Sequence, residues 1–226
     1  MFKKLMAIFK KDSLMDQSYQ RSFQMLEITR EMFLKAKQSL RHTEDNLIDF
    51  DIYDKDIEIN KYEREVRRNV LNHLIVSGKE NLPQGLVLVS IIIDIERIGD
   101  YTKNIVELAL NHPGKLQIKA FENNLQKIEK AIGELFEQTQ ICFRNSDAEL
   151  GHKLVKKYKW INRLCDDNIL KLVKMKEEKI LLGDAVTLAL YFRWLKRINS
   201  HLRNIVTSVV NPFDRIGFKP KKRRIE

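Results

Sequence analysis

Residues 86–110, which read LVLVSIIIDIERIGDYTKNIVELAL, constrain the fold more than any other part of the sequence. The segment is mostly apolar, with a short acidic cluster in its middle. Its Val and Ile content would suit a strand, but its length of more than 20 residues favours a helix. In a helix, Glu96, Asp100 and Asn104 share one sector of roughly 80°. Buried carboxylates need cations, hydrogen-bond donors or a metal ion, so we expect a charged site inside a helical bundle.

Helical spacing of apolar residues extends through the rest of the chain. It predicts an all-α protein of about six long helices, since Gly (8) and Pro (4) are scarce. The first helix begins near residues 12–13 and ends at a polar break over residues 41–46. The others are expected at about 53–76, from Pro83 through the segment described above, and at about 115–144, 147–178 and 183–210.

The two halves of the sequence resemble each other. The string ERIGD at residues 96–100, followed by Asn104-Ile105, corresponds to KRINS at 196–200, followed by Asn204-Ile205, at an offset of 100 residues. Ile59-Asn60 matches Ile161-Asn162 at an offset of 102. We therefore predict two three-helix repeats in tandem, over residues 13–112 and 115–210. A basic amphipathic segment (1–12) would precede them and a basic tail (211–226) would follow.

Charge and composition narrow the class of protein. The net charge is +10, and the two ends, residues 1–12 and 212–226, supply seven of these charges. The body is only mildly basic, which disfavours a nucleic-acid groove over the fold. No apolar stretch reaches the roughly 20 uncharged residues that span a bilayer. The two cysteines form no disulfide framework, and the N-terminus does not resemble a signal peptide, so we expect a cytoplasmic protein.

Four residues of the first repeat are candidate metal ligands. Asp56 and Asn60 lie one turn apart on the second helix, as do Glu96 and Asp100 on the third. Two such pairs face to face would present three carboxylates and an amide oxygen, a set suited to Mg²⁺, Mn²⁺, Fe or Zn²⁺. In the alternative interpretation, Glu96 and Asp100 form ion pairs with Arg97, Lys61 or Arg64. The two predicted helices of this site carry no Glu-x-x-His pair, and the sequence shows no Ser/His/Asp order and no Gly-rich phosphate loop, so enzyme activity has no support.

The two ends are candidate contact segments. In residues 1–11, the side chains of Phe2, Leu5, Met6 and Phe9 share one helical sector, and Lys3, Lys4, Lys10 and Lys11 lie on another. This pattern suits a helix at an anionic membrane surface, while the alternative is docking on the protein's own bundle or on a dimer partner. Residues 219–224 are interpreted as a solvated charge run, with lipid headgroups, a nucleic acid or an acidic partner as alternatives.

The ERIGDY string with its downstream Asn-Ile resembles the PhoU family of phosphate-signalling regulators. The family's preceding D-x-x-x-D-type motif corresponds here to DIEINKYE at residues 56–63, and the resemblance covers roughly residues 14–210. It implies two three-helix bundles, often in a homodimer, that bind multinuclear metal through acidic motifs and have no catalysis of their own. It also implies a negative role in phosphate uptake, through a Pst-type phosphate ABC transporter and a sensor histidine kinase.

The second repeat departs from the family pattern. Lys196 and Ser200 replace carboxylates on one helix, and Tyr158 and Asn162 stand on the partner helix. An ammonium cannot coordinate a cation, so we predict metal in the first repeat only. Lys196 is interpreted as solvated at a helix end, with pairing to an acid such as Asp166 or Asp167 as the alternative.

Together these features predict a non-enzymatic regulatory adaptor of phosphate uptake and phosphate-dependent signalling. It would contact a transporter ATPase or permease, a sensor kinase, or both, at the inner face of the plasma membrane. Residues 81–83 read Asn-Leu-Pro where the family usually has D-L-R, so the partner could be another phosphate transporter. The alternatives from other classes are a basic nucleic-acid-binding transcriptional regulator and a carboxylate-bridged metalloenzyme.

Overall fold

The protein is almost entirely helical over residues 13–43, 51–77, 79–174 and 180–220, which the computed structural model describes. No strand occurs within these ranges, so the all-α prediction is confirmed. None of the helices described is both long and apolar enough to cross a membrane. The helices are α1 (Leu14–His42), α2 (Ile52–Ser77), α3 (Leu82–Asn111), α4 (Lys119–Asn145), α5 (Ala148–Lys157), α6 (Trp160–Val173) and α7 (Leu182–Val210). Single 3-10 turns cover Lys79–Asn81 and Phe213–Arg215.

The first repeat is a bundle of α1, α2 and α3. Helix α1 begins where the sequence predicts, because the Ser13 hydroxyl accepts a hydrogen bond from the backbone N–H of Asp16 at 3.1 Å. Helices α2 and α3 approach closely at Gly99, where a Cβ atom would lie only 3.0 Å from Ile59 Cδ1. This approach brings the acidic residues of the two helices to the same groove.

The second repeat differs from the prediction in its middle helix. We expected one helix from about residue 147 to 178, but α5 ends at Lys157 and α6 begins at Trp160. Tyr158 lies at the break and is almost fully buried. Its carbonyl accepts from the side-chain amide of Asn199 at 3.5 Å. Asn199 is the counterpart of Gly99 in the first repeat. There the absence of a side chain lets two helices pack closely, whereas here the Asn199 amide fills the corresponding space.

The two repeats are joined along their length. Helix α3 packs against α7, and the end of α1 packs against α4. Arg41, which we expected in a polar break, is fully buried at this junction. Its Nε lies 2.9 Å from Glu129 Oε1 and its Nη2 lies 2.7 Å from Glu122 Oε1. The hydroxyl of Tyr191 donates to the same Glu129 oxygen at 2.8 Å. The guanidinium therefore ties α1 to α4 and, through Tyr191, to α7.

The chain folds back on itself after α7. We call residues 211–220 the C-terminal hook. The side-chain amide of Asn211 donates to the carbonyls of Arg215 and Phe218 at 2.8 Å each, and Gly217 N–H donates to the Thr207 hydroxyl at 2.7 Å. The predicted basic tail therefore begins with a folded segment. Residues 221–224 of the predicted charge run lie outside the described residues.

Candidate functional site

The four predicted metal ligands lie along the groove between α2 and α3. Asn60 donates from its amide to Asp56 Oδ2 at 3.3 Å. Asp56 is also 2.9 Å from the ammonium of Lys103, which lies 3.4 Å from Asp100 Oδ1. The Asp56 side chain is 17% exposed and that of Asp100 is 44% exposed. The groove is therefore partly open to solvent at Asp100, while Asp56 is largely buried.

Glu96 is the groove carboxylate whose ionisation the surroundings oppose. Its carboxyl is half-buried, and burial raises its pKa to about 7, with further contributions from Asp100, Glu63 and Asp56. Arg97 opposes this rise. Lys103 pairs with Asp56 and Asp100 and Arg67 pairs with Glu63, so Glu96 is the one of the four without an ion pair among the described residues. The three candidate carboxylates therefore outnumber the one ammonium that pairs with them.

Lys103 is the residue that sequence reasoning missed. We considered Arg97, Lys61 and Arg64 as partners for the acids, but no ion pair in the described ranges joins those cations to Glu96 or Asp100. Lys103 lies within the ERIGDYTKNI string and follows Asp100 by one helical turn, at i+3, which is a spacing that favours a pair. That spacing was the available signal.

The donor chemistry of the groove fits a hard cation. Carboxylate and amide oxygens are the ligands that Mg²⁺ and Mn²⁺ prefer, and the excess negative charge favours a divalent ion. The described residues, however, contain no group of three or more Asp, Glu, His or Cys side chains arranged to hold a metal. The Lys103 ammonium lies beside Asp56 and Asp100, so a cation would have to compete with it there.

The corresponding place in the second repeat has lost this acidity. Lys196 lies 2.7 and 2.8 Å from the two carboxylate oxygens of Asp166, so the interpretation of Lys196 as a solvated side chain was wrong. Asn199 donates to Asn162 at 2.7 Å, and Asn162 donates to the Ser200 hydroxyl at 2.9 Å. A lysine–aspartate pair and hydrogen-bonded amide and hydroxyl groups therefore stand where the first repeat has carboxylates.

The groove of the first repeat is backed by the junction between α3 and α7. Asp94 Oδ1 lies 2.6 Å from His201 Nδ1 and accepts from the Asn204 amide at 2.9 Å. The His201 ring stacks on Tyr101 with ring centroids 5.7 Å apart. His201 therefore joins α7 to α3 both through Asp94 and by stacking on Tyr101.

The predicted membrane or partner contacts Phe2, Lys3, Lys4, Leu5, Phe9, Lys10 and Lys11 lie outside the described residues. The structure therefore does not test that prediction, and it stays a prediction.

Comparison with known proteins identifies the fold. The PhoU domain family model matches residues 23–109, which include the whole acidic groove. The crystal structure of PhoU from Pseudomonas aeruginosa superposes with a TM-score of 0.76 at 19% identity, covering 87% of this chain and 95% of that one. The phosphate transport system regulatory protein PhoU from Streptococcus pneumoniae superposes with a TM-score of 0.76 at 17% identity, covering 87% and 93%. No curated protein sequence matches this chain at a significant level.

The family match covers the first repeat, whereas the structural matches extend over most of the chain. This difference accords with the loss of the acidic motif in the second repeat, where the helices persist and the carboxylates do not. The resemblance carried by the ERIGDY string is confirmed: residues 23–109 match the PhoU domain model, and the chain has the fold of the PhoU structures.

Proposed function

We propose that this protein is a non-enzymatic regulatory adaptor of phosphate uptake and phosphate-dependent signalling that binds a cation in its first repeat. The observation that carries the proposal is the acidic groove between α2 and α3, set within a PhoU domain. The name of the S. pneumoniae neighbour, a phosphate transport system regulatory protein, supports the assignment to phosphate regulation.

The cation would be held by Asp56, Asn60, Glu96 and Asp100, with Lys103 displaced. When bound, a divalent or iron-type ion would supply the positive charge that these oxygens lack. Its mechanical effect would be to fasten α2 to α3, because two of the ligands come from each helix. In the second repeat, the bidentate pair of Lys196 with Asp166 leaves no equivalent arrangement for a cation.

Exposed apolar side chains offer contact surfaces for a partner. In the first repeat they lie around the turn between α2 and α3, and in the second around the end of α6 and the start of α7. A soluble monomer gains nothing by exposing such residues together, which supports protein binding there. The side chains are Ile75, Val76, Leu82 and Leu86 in the first repeat and Val173, Leu181, Leu182 and Val186 in the second.

Catalysis by thiol chemistry receives no support from the two cysteines. Burial raises the pKa of Cys142 to about 11 and that of Cys165 to about 12. Both thiols are therefore protonated at neutral pH and are poor nucleophiles.

The proposal is tested by measuring association of the purified chain with two candidate partners. These are the ATPase subunit of a phosphate ABC transporter and the cytoplasmic part of a phosphate sensor kinase, each with and without Mn²⁺. We expect binding to at least one, weakened by Asp100→Asn. Glu107→Gln removes an exposed charge from the same helix and should leave binding unchanged.

Absence of binding to both partners, with and without Mn²⁺, would contradict the adaptor role. Tight, steeply salt-dependent binding to DNA would instead favour the nucleic-acid alternative. A homodimer and attachment to anionic membranes through residues 1–11 remain parts of the proposal. Both can be checked on the same preparation by light scattering and by pelleting with anionic vesicles.

A further inference from the structure

Arg203 is a cation without an acid. It lies on α7 at the position that Lys103 occupies on α3, at the offset of 100 residues that relates the repeats. Lys103 pairs with Asp56 and Asp100, whose counterparts in the second repeat are Tyr158 and Ser200. Among the described residues, no carboxylate lies within ion-pair distance of the Arg203 guanidinium. The second repeat thus retains the basic residue but not the carboxylates that pair with it in the first repeat.

The guanidinium is also poorly satisfied by hydrogen bonds. Its Nη2 donates to the carbonyl of Val155 at 3.3 Å, and its buried Nε has no hydrogen-bond partner. Burial lowers the pKa of Arg203, with no acidic neighbour to offset it. An arginine nevertheless stays charged in a protein, so this position carries a positive charge with unused donors.

Arg203 lines a small cleft in the second repeat. The polar lining residues are Asn162, Ser200, Arg203, Asn204, Thr207 and Lys219, and no carboxylate belongs to the lining among the described residues. The amide and hydroxyl side chains of this lining already donate to other protein groups, so Arg203 and Lys219 supply its positive charge. Asp94 lies behind this wall, where its carboxylate is held by His201 and by the Asn204 amide in the junction between α3 and α7.

The C-terminal hook closes one side of this cleft. Gly217 adopts a positive φ of 84°, which a side chain would strain, and its N–H donates to Thr207. A Cβ atom there would lie 3.2 Å from Asn204 Oδ1. This close approach brings Phe218 and Lys219 to the cleft, so the hook adds a second basic residue to its lining.

We propose that the second repeat binds a small tetrahedral oxyanion of the phosphate class in this cleft, with the Arg203 guanidinium as its principal partner and Lys219 at the rim. A planar guanidinium matches the paired oxygens of such an anion and forms charge-assisted hydrogen bonds with them. The cleft of the second repeat would thus bind an anion, whereas the acidic groove of the first repeat would bind a cation. This inference goes beyond the proposed function and does not depend on metal binding or on any protein partner.

The test is equilibrium dialysis of the full chain against radiolabelled inorganic phosphate at low ionic strength. A chelator is present throughout, so that phosphate held by a metal in the first repeat does not contribute. We expect saturable binding that Arg203→Gln weakens by at least about tenfold, the cost of one lost charged hydrogen bond. Arg193→Gln is the matched control, because Arg193 is an exposed arginine on the same helix. It should bind phosphate like the wild type.

Two further arms keep the test decisive. If Arg203→Gln fails to fold, Lys219→Gln changes only an exposed side chain and should weaken binding by about twofold to fivefold, as expected for a rim charge. Sulfate should displace phosphate, and chloride at the same ionic strength should not. No saturable phosphate binding by the wild type would overturn the proposal, as would equal binding by Arg203→Gln or equal displacement by chloride and sulfate.

Discussion

Lys103 and Arg203 occupy corresponding positions on α3 and α7, yet only the Lys103 ammonium lies beside carboxylates. In the first repeat several carboxylates lie around Lys103. In the second, no carboxylate of the described residues lies within ion-pair distance of Arg203. The same helical scaffold therefore presents an acidic groove in one half and a basic cleft in the other.

Removing the cation of the acidic groove should destabilise the metal-free protein. In Lys103→Met, Asp56 and Asp100 lose their partner, while Glu96 and Glu63 remain close by. We expect a loss of about 1–2 kcal/mol in the free energy of unfolding, measured by urea denaturation with a chelator present. Added Mn²⁺ should restore more stability to this variant than to the wild type. Arg68→Gln, an exposed change on α2, should have little effect.

The stability of the protein should depend on the ionisation of Glu96. Its pKa in the folded protein is about 7, above the ordinary value of 4.5, so between these values the folded state binds more protons than the unfolded state. The contribution of Glu96 therefore becomes less favourable as the pH rises from about 4.5 to 7.

Glu96→Gln should remove this pH dependence. Relative to the wild type, the variant should be more stable at pH 8 than at pH 5, by on the order of 1 kcal/mol once solvent screening is allowed for. Thermal unfolding with a chelator at both pH values measures the difference. An identical wild-type-to-variant difference at the two pH values would show that Glu96 ionises normally.

Arg41 should be essential to the junction between the repeats. It is fully buried, and Arg41→Met would leave Glu129 buried without its cation. We expect a loss of about 3–5 kcal/mol in the free energy of unfolding. Arg41→Met combined with Glu129→Leu should recover part of this loss, because the orphaned charge is then gone. A single variant as stable as the wild type would show that the buried pair contributes nothing net.

The helices could be predicted because their cause is local. Apolar residues at helical spacing, the cap at Ser13 and the proline that opens α3 are all visible in the sequence, and the structure places these features as expected. The break at Tyr158 was not predicted. At the break, the Tyr158 carbonyl accepts from the Asn199 amide, which is 41 residues away and lies across the bundle. A pattern confined to one helix carries no trace of that contact.

The candidate site residues also divide into those that could be predicted from a single helix and those that depend on contacts between helices. The four acidic-groove candidates were found because each pair lies one turn apart on its own helix. The Lys103 pair with Asp56 was missed because it joins two helices. The basic cleft could not be predicted at all, since it requires the hook to return from Asn211 and place Gly217 against Thr207. Burial of Arg41 is likewise a product of packing between the repeats.

Metal binding tests most directly whether the two halves have diverged in charge and role. Protein stripped with a chelator is dialysed against Mn²⁺, and the retained metal is measured by mass spectrometry for the wild type, Asp100→Asn and Asp166→Asn. We predict that the wild type and Asp166→Asn retain Mn²⁺ and that Asp100→Asn loses it. A wild type that retains no metal, or equal losses in the two variants, would contradict a cation site confined to the first repeat.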